Sequence, residues 1–143
     1  MEYQKYKYNL IDKSGNILFD VSVGWVDMVY DYHCDRAAIY SDKKGANYID
    51  KRGNIISKDW YTIGHTFVNN YAAVALKKYT TYYWNYLKKD GKLLSTDEWF
   101  RSVKDFDEDG TAEVQRFDEM WNFITTDGKF TSDEWANTLI RKK

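Results

Sequence analysis

Three groups of residues in this chain of 143 are of the types that do chemistry. The string Asp105-Phe106-Asp107-Glu108-Asp109-Gly110 places carboxylates at alternate positions ahead of a glycine, as the first half of an EF-hand calcium loop does. Such a loop ends on a bidentate glutamate, and the corresponding residue here is Arg116. The string therefore reads as a solvated acidic turn, and no metal or other cofactor is expected. Cys34 adjoins His33, and a second histidine, His65, lies two residues before Phe67. Neighbours on a strand point to opposite faces, so Cys34 and His33 do not converge as nucleophile and base. Asp97-Glu98 and Asp133-Glu134 are carboxylate pairs of the kind a glycosidase or another hydrolase uses. Each stands immediately before a tryptophan, which points to a turn feature, because an active site is usually built once. There is no glycine-rich phosphate loop, helical zinc motif or nucleophile elbow. The chain is expected not to be an enzyme.

The recurrence seen in the acid pairs extends along the whole sequence. Asn47-Tyr-Ile-Asp-Lys-Arg-Gly-Asn-Ile-Ile56 has diverged copies at Asn9–Leu18, Asn85–Leu94 and Asn122–Thr131. The asparagines are spaced 38, 38 and 37 residues apart, as are Gly15, Gly53, Gly91 and Gly128. A fixed period in this range marks a repeat architecture. Each copy reads as a β-hairpin whose glycine takes the left-handed position of a type I turn with a G1 bulge. Downstream, Trp25, Trp60 and Trp99 are each followed by an aromatic (Tyr32, Phe67, Phe106) and then by a small-residue strand at Ala37–Ile39, Ala72–Val74 or Ala112–Val114. About four short strands per unit are expected, and no helix of useful length. The fourth copy stops after Trp135, and Tyr3–Tyr6 is a candidate for the strand it lacks. Val21–Val23 reads as an extended strand or bulge. Trp25, Trp60, Trp99 and Trp135 are most simply core residues, with room left by the alanine strands.

Composition excludes several function classes. With 21 basic and 22 acidic residues the net charge is -1, which gives no electrostatic footprint for nucleic acid or an anionic membrane. Mean hydropathy is low at -0.71, yet 18% of residues are aromatic, which disordered chains lack. A single cysteine excludes an internal disulfide framework. Met1–Lys7 has no apolar leader and no stretch is long enough to span a bilayer, so a cytoplasmic location is expected.

Trp84-Asn-Tyr-Leu-Lys-Lys-Asp-Gly-Lys-Leu-Leu-Ser-Thr-Asp-Glu-Trp-Phe100 and Trp121-Asn-Phe-Ile-Thr-Thr-Asp-Gly-Lys-Phe-Thr-Ser-Asp-Glu-Trp135 resemble the WG-repeat proteins. That family's unit reads Trp-Gly-aromatic-Ile-Asp-x-x-Gly-Lys, followed by Phe-x-x-Gly-x-Ala, and Phe106–Ala112 is similar to its second half. The resemblance covers nearly the whole chain. Two departures stand out. Asparagine replaces the glycine of Trp-Gly in all four copies, a variant associated with gut Bacteroidetes and their phages. The preceding tryptophan is kept only at Trp84 and Trp121. The resemblance implies an all-β fold. About three and a half hairpin units, at approximately 8–45, 46–83, 84–120 and 121–143, would form one domain with a curved antiparallel sheet, either open or closed like a barrel or propeller. It implies no single activity and no catalytic residues.

If the recurring residues serve the scaffold, function belongs where the copies differ. From the β-branched residue of the alanine strand to the next asparagine is eight residues in two units but eleven from Val74 to Asn85. The extra length makes a longer hairpin tip carrying Lys77, Lys78, Tyr79, Tyr82 and Tyr83. Tyrosine presents rigid amphipathic area at low entropic cost, as contact surfaces require. These five are the candidate binding residues, and a protein is the expected partner. Carbohydrate or cell-wall binding through exposed aromatics is the alternative, and a hydrolase using the acid pairs a distant third.

Overall fold

The computed structural model describes residues 6–11, 13–18 and 24–138. The strands expected at Tyr3–Tyr6 and Val21–Val23 fall largely or wholly outside them. The described chain is all β, in three antiparallel three-stranded sheets. The first holds β1 (Met28–His33), β2 (Arg36–Ser41) and β3 (Gly45–Ile49). The second holds β4 (Ile63–Gly64), β5 (Tyr71–Lys78) and β6 (Thr81–Lys88). The third holds β7 (Ser102–Val103), β8 (Thr111–Gln115) and β9 (Trp121–Thr125). Among the described residues each sheet thus holds three strands, fewer than the four per unit expected, because the segment after each glycine makes only isolated bridges: Ile49 to Ile55, Leu87 to Leu93 and Ile124 to Phe130. Among the described residues the strands do not close into a ring.

The glycine turns form as the sequence predicts. Gly53 donates its N–H to the Asp50 carbonyl (3.0 Å) while Asp50 donates to Asn54 (2.9 Å), and the pattern recurs at Gly91 and Gly128. Glycine is also required by neighbours. A Cβ on Gly91 would lie 1.7 Å from the Ile56 carbonyl oxygen, and one on Gly53 would lie 2.6 Å from the Leu18 Cβ. Gly53, Gly91 and Gly128 are thus each seated against the apolar pair that ends the preceding copy, whereas Gly15 meets nothing within 4 Å.

The alanine strands are buried on both faces. Ala37 and Ile39 belong to one apolar cluster with Val26 and Ile49, while Ala38, between them, faces the next cluster with Tyr48, Tyr61 and Phe67. Small side chains let two clusters approach one strand from opposite sides. A third cluster gathers Tyr86, Phe100, Phe106, Val114 and Ile124. Tyr48 meets Phe67 edge-on at 5.1 Å, and Tyr86 meets Phe106 at 4.8 Å, which is a favoured aromatic geometry. Both buried hydroxyls are satisfied, Tyr48 donating to the His65 carbonyl and Tyr86 to that of Lys104.

The tryptophans meet the expectation of core residues in three of four cases, and there only in part. Trp60, Trp99 and Trp135 each pack half-buried against the rim of one cluster. Trp25 is 57% exposed. The indoles stand at the ends of loops, so they cover the clusters from the side and keep one edge in water.

Candidate functional site

The recurring asparagines explain those loops. In β6, Tyr86 faces away from β5; its carbonyl accepts from Leu94 N–H (2.8 Å) but no strand residue takes its own N–H. The strand after Leu94 loops out through residues 95–99 before Phe100 pairs again with Trp84. The Asn85 side chain fills this gap. Its Oδ1 accepts from Tyr86 N–H (2.8 Å) and Ser95 N–H (3.2 Å), and its Nδ2 donates to the Ser95 carbonyl (2.8 Å). Asn47 does the same with Tyr48 N–H (2.7 Å) and the Ser57 carbonyl (2.9 Å), and Asn122 with Phe123 N–H (2.7 Å) and the Ser132 carbonyl (2.9 Å). A glycine could make none of these bonds, which accounts for asparagine at this position.

The loops so held carry the acid pairs. Asp97 lies exposed and Glu98 half-buried, and Glu98 donates its backbone N–H to Ser95 Oγ (3.3 Å). Asp133 and Glu134 are exposed, with Glu134 N–H donated to Ser132 Oγ (3.1 Å). These are serine-capped turns. In the calcium-like string, Phe106 is buried and Asp107 turns back on its own loop. Asp107 Oδ1 accepts from the N–H of Asp109 (3.0 Å) and Thr111 (3.0 Å), and Oδ2 from Thr111 Oγ1 (3.1 Å). Among the described residues no group of three His, Cys, Asp or Glu side chains is placed to hold a metal ion. Cys34 and Asp35 are the two positive-φ residues (53° and 63°) of the β1–β2 turn, and Cys34 packs against the second cluster. His33 is exposed at the end of β1, and the His65 ring leans on Trp84 at 5.1 Å.

The five candidate binding residues do share one element. β5 and β6 pair without a break from Tyr71–Lys88 to Lys78–Thr81, which makes a stiff hairpin closed by Tyr79 and Thr80. Tyr79 is 98% exposed and holds φ 58°. A bulky side chain in the left-handed region is strained by about 1 kcal/mol or more, and here no packing offsets it. Lys77 Nζ lies 5.6 Å from the centre of the Tyr82 ring, and Lys78 Nζ 5.7 Å from that of Tyr83. Neither ammonium has a carboxylate partner among the described residues. Tyr83 in turn touches Phe117 of the third sheet's β8–β9 turn, with centroids 5.0 Å apart. Sequence reasoning passed over Phe117, 43% exposed. The signal was available, since Phe117 lies three positions past Val114 as Lys77 lies three past Val74.

No helix among the described residues is long and apolar enough to cross a membrane. Compared with known proteins, the chain matches no family model and no curated sequence at a significant level.

Proposed function

We propose that this chain is a non-enzymatic binding module, an open array of WG-like repeats that presents the Lys77–Tyr83 hairpin tip to a partner protein. The observation that carries the reading is Tyr79, almost fully exposed and held at positive φ at the end of an unbroken hairpin. A two-residue hairpin turn needs positive φ at its first residue, which glycine or asparagine supplies most readily, and here that place is given to a large ring standing in water. The surrounding surface has the composition of a contact site: three tyrosines, Phe117 and two lysines without an ion pair among the described residues. A bacterium- or phage-encoded inhibitor or adaptor acting in the cytoplasm is the natural form of such a module. Carbohydrate binding is the weaker reading. The ring faces of Trp60, Trp121 and Trp135 are already covered by Lys44, Lys104 and Arg116 at 5.4, 5.5 and 4.2 Å, which works against stacking of sugars.

The test is retention of host proteins on immobilised wild-type chain against the Tyr79→Gly variant, which keeps the turn. A partner lost only with the variant is the expected result. Identical retention by both forms, or no retained protein at micromolar concentration, refutes the proposal.

A further inference from the structure

The buried centres of the three clusters share an alanine strand and a rim tryptophan, and one pair of aromatic positions sets the first apart. In the second and third, the residue after the asparagine is a tyrosine that meets a buried phenylalanine edge-on: Tyr48 with Phe67 and Tyr86 with Phe106. In the first, the same two positions are Leu10 and Tyr32. Leucine is too short to fill the place of a tyrosine. Tyr32 does not enter the first cluster, stays 38% exposed and donates its hydroxyl to the Asp50 carbonyl (2.8 Å).

A groove of about 550 Å³ opens at this point, between the first two glycine hairpins. Its apolar wall is Leu10, Ile11, Leu18 and the Tyr32 ring. Its other lining residues are all cationic: Lys13, Lys51 and Arg52. Lys51 is shared with Asp35 at 3.0 Å, whereas the Lys13 ammonium and the Arg52 guanidinium meet no carboxylate among the described residues; Arg52 gives only its backbone N–H to Asp50 (2.9 Å). The contact of Gly53 with Leu18 fixes the spacing of the two hairpins and thus the width of the groove. The volume falls within the range of small-molecule sites, about 300–1,000 Å³.

We propose that this groove binds a small aromatic carboxylate. The ring lies on Leu10, Ile11 and Leu18, edge-on to or stacked against Tyr32. The carboxylate faces Arg52 and Lys13, where guanidinium and ammonium groups supply charge-assisted hydrogen bonds. The site is separate from the Lys77–Tyr83 tip and does not depend on it.

The probe is 2-naphthoate, titrated while the methyl signals of Leu10, Ile11 and Leu18 are followed by NMR. Saturable shifts at these methyls are expected, and 2-naphthylmethylammonium should produce none. Arg52→Gln, an exposed change, should weaken naphthoate about threefold to fivefold, the range of a solvent-exposed ionic contact. The paired change Leu10→Tyr with Tyr32→Phe rebuilds the aromatic contact of the other clusters and should abolish binding. The proposal is overturned if naphthoate causes no shift, if the cationic analogue binds as well, or if the refilled variant, folded by circular dichroism, still binds. It is equally overturned if Arg52→Gln leaves the affinity unchanged.

Discussion

Replacing Asn85 by alanine removes one side chain and strands three backbone groups. Asn85 is fully buried, and Ser95 is 9% exposed. Without the amide, Tyr86 N–H, Ser95 N–H and the Ser95 carbonyl lose the bonds described above. A buried polar group left unsatisfied costs about 1–3 kcal/mol. Tyr86 N–H lies deepest and bears the full penalty, while water reaches Ser95 more readily once the plug is gone. The expected loss is therefore about 3–5 kcal/mol, a large part of the roughly 5–15 kcal/mol that holds a domain together. Urea unfolding followed by tryptophan fluorescence reads this directly. With a slope of about 1.5–2 kcal/mol per molar urea, the midpoint should fall by roughly 2 M. Asn9→Ala is the internal control. Asn9 accepts from Leu10 N–H (2.8 Å) in the same way but is only half-buried, so water can replace it and a smaller loss is expected. A loss below about 1 kcal/mol at Asn85, or equal losses at Asn85 and Asn9, would refute the view that asparagine is retained as a plug for buried backbone.

Gly91→Ala should prevent folding or destabilise by several kcal/mol, because its Cβ would collide with the Ile56 carbonyl. Gly15→Ala meets nothing within 4 Å and should cost only about 1–2 kcal/mol of backbone strain; similar melting temperatures for the two would sink the seating argument. Tyr79→Gly should raise stability by about 1 kcal/mol by releasing the left-handed strain, measured as a higher urea midpoint. Burial pushes the Tyr48 and Tyr86 hydroxyls well above the ordinary tyrosine value of 10.0, with neighbouring Tyr61 adding at Tyr48 and Asp105 at Tyr86. The folded state keeps protons that the unfolded chain releases, so this contribution is complete below pH 10 and declines as the pH rises beyond it. Tyr48→Phe and Tyr86→Phe should flatten the alkaline fall in stability, and an unchanged profile would contradict it.

The hairpins were legible in the sequence because a left-handed turn restricts residue choice so strongly that Gly15, Gly53, Gly91 and Gly128 recur without exception. The alanine strands were legible because two-sided burial forbids large side chains at Ala37–Ala38 and Ala72–Ala73. The count of strands was not, since the segments after each glycine are apolar enough for strands but are interrupted by the Asn-held loops. Trp25 and its fellows misled for a related reason. An indole is as useful half-buried at a rim as fully enclosed, and its spacing is the same in both cases. The Lys77–Tyr83 tip was visible as a length difference, a property of alignment alone. Its extension to Phe117 required the turns of two sheets to be brought side by side, and the Leu10–Tyr32 opening required knowing which two positions meet.

The clusters overlap along the chain and each is completed by a tryptophan. The first draws on residues from Leu10 to Trp60, the second from Cys34 to Trp99 and the third from Tyr71 to Trp135. During synthesis, then, each core waits for its indole, which is the last of its members to leave the ribosome. By the time it arrives, the first residues of the next core are already in place: Ala38 and Tyr48 before Trp60, and Tyr71, Trp84 and Tyr86 before Trp99. A nascent chain halted between Trp60 and Trp99, or between Trp99 and Trp135, therefore carries every described member of one core and only part of the next.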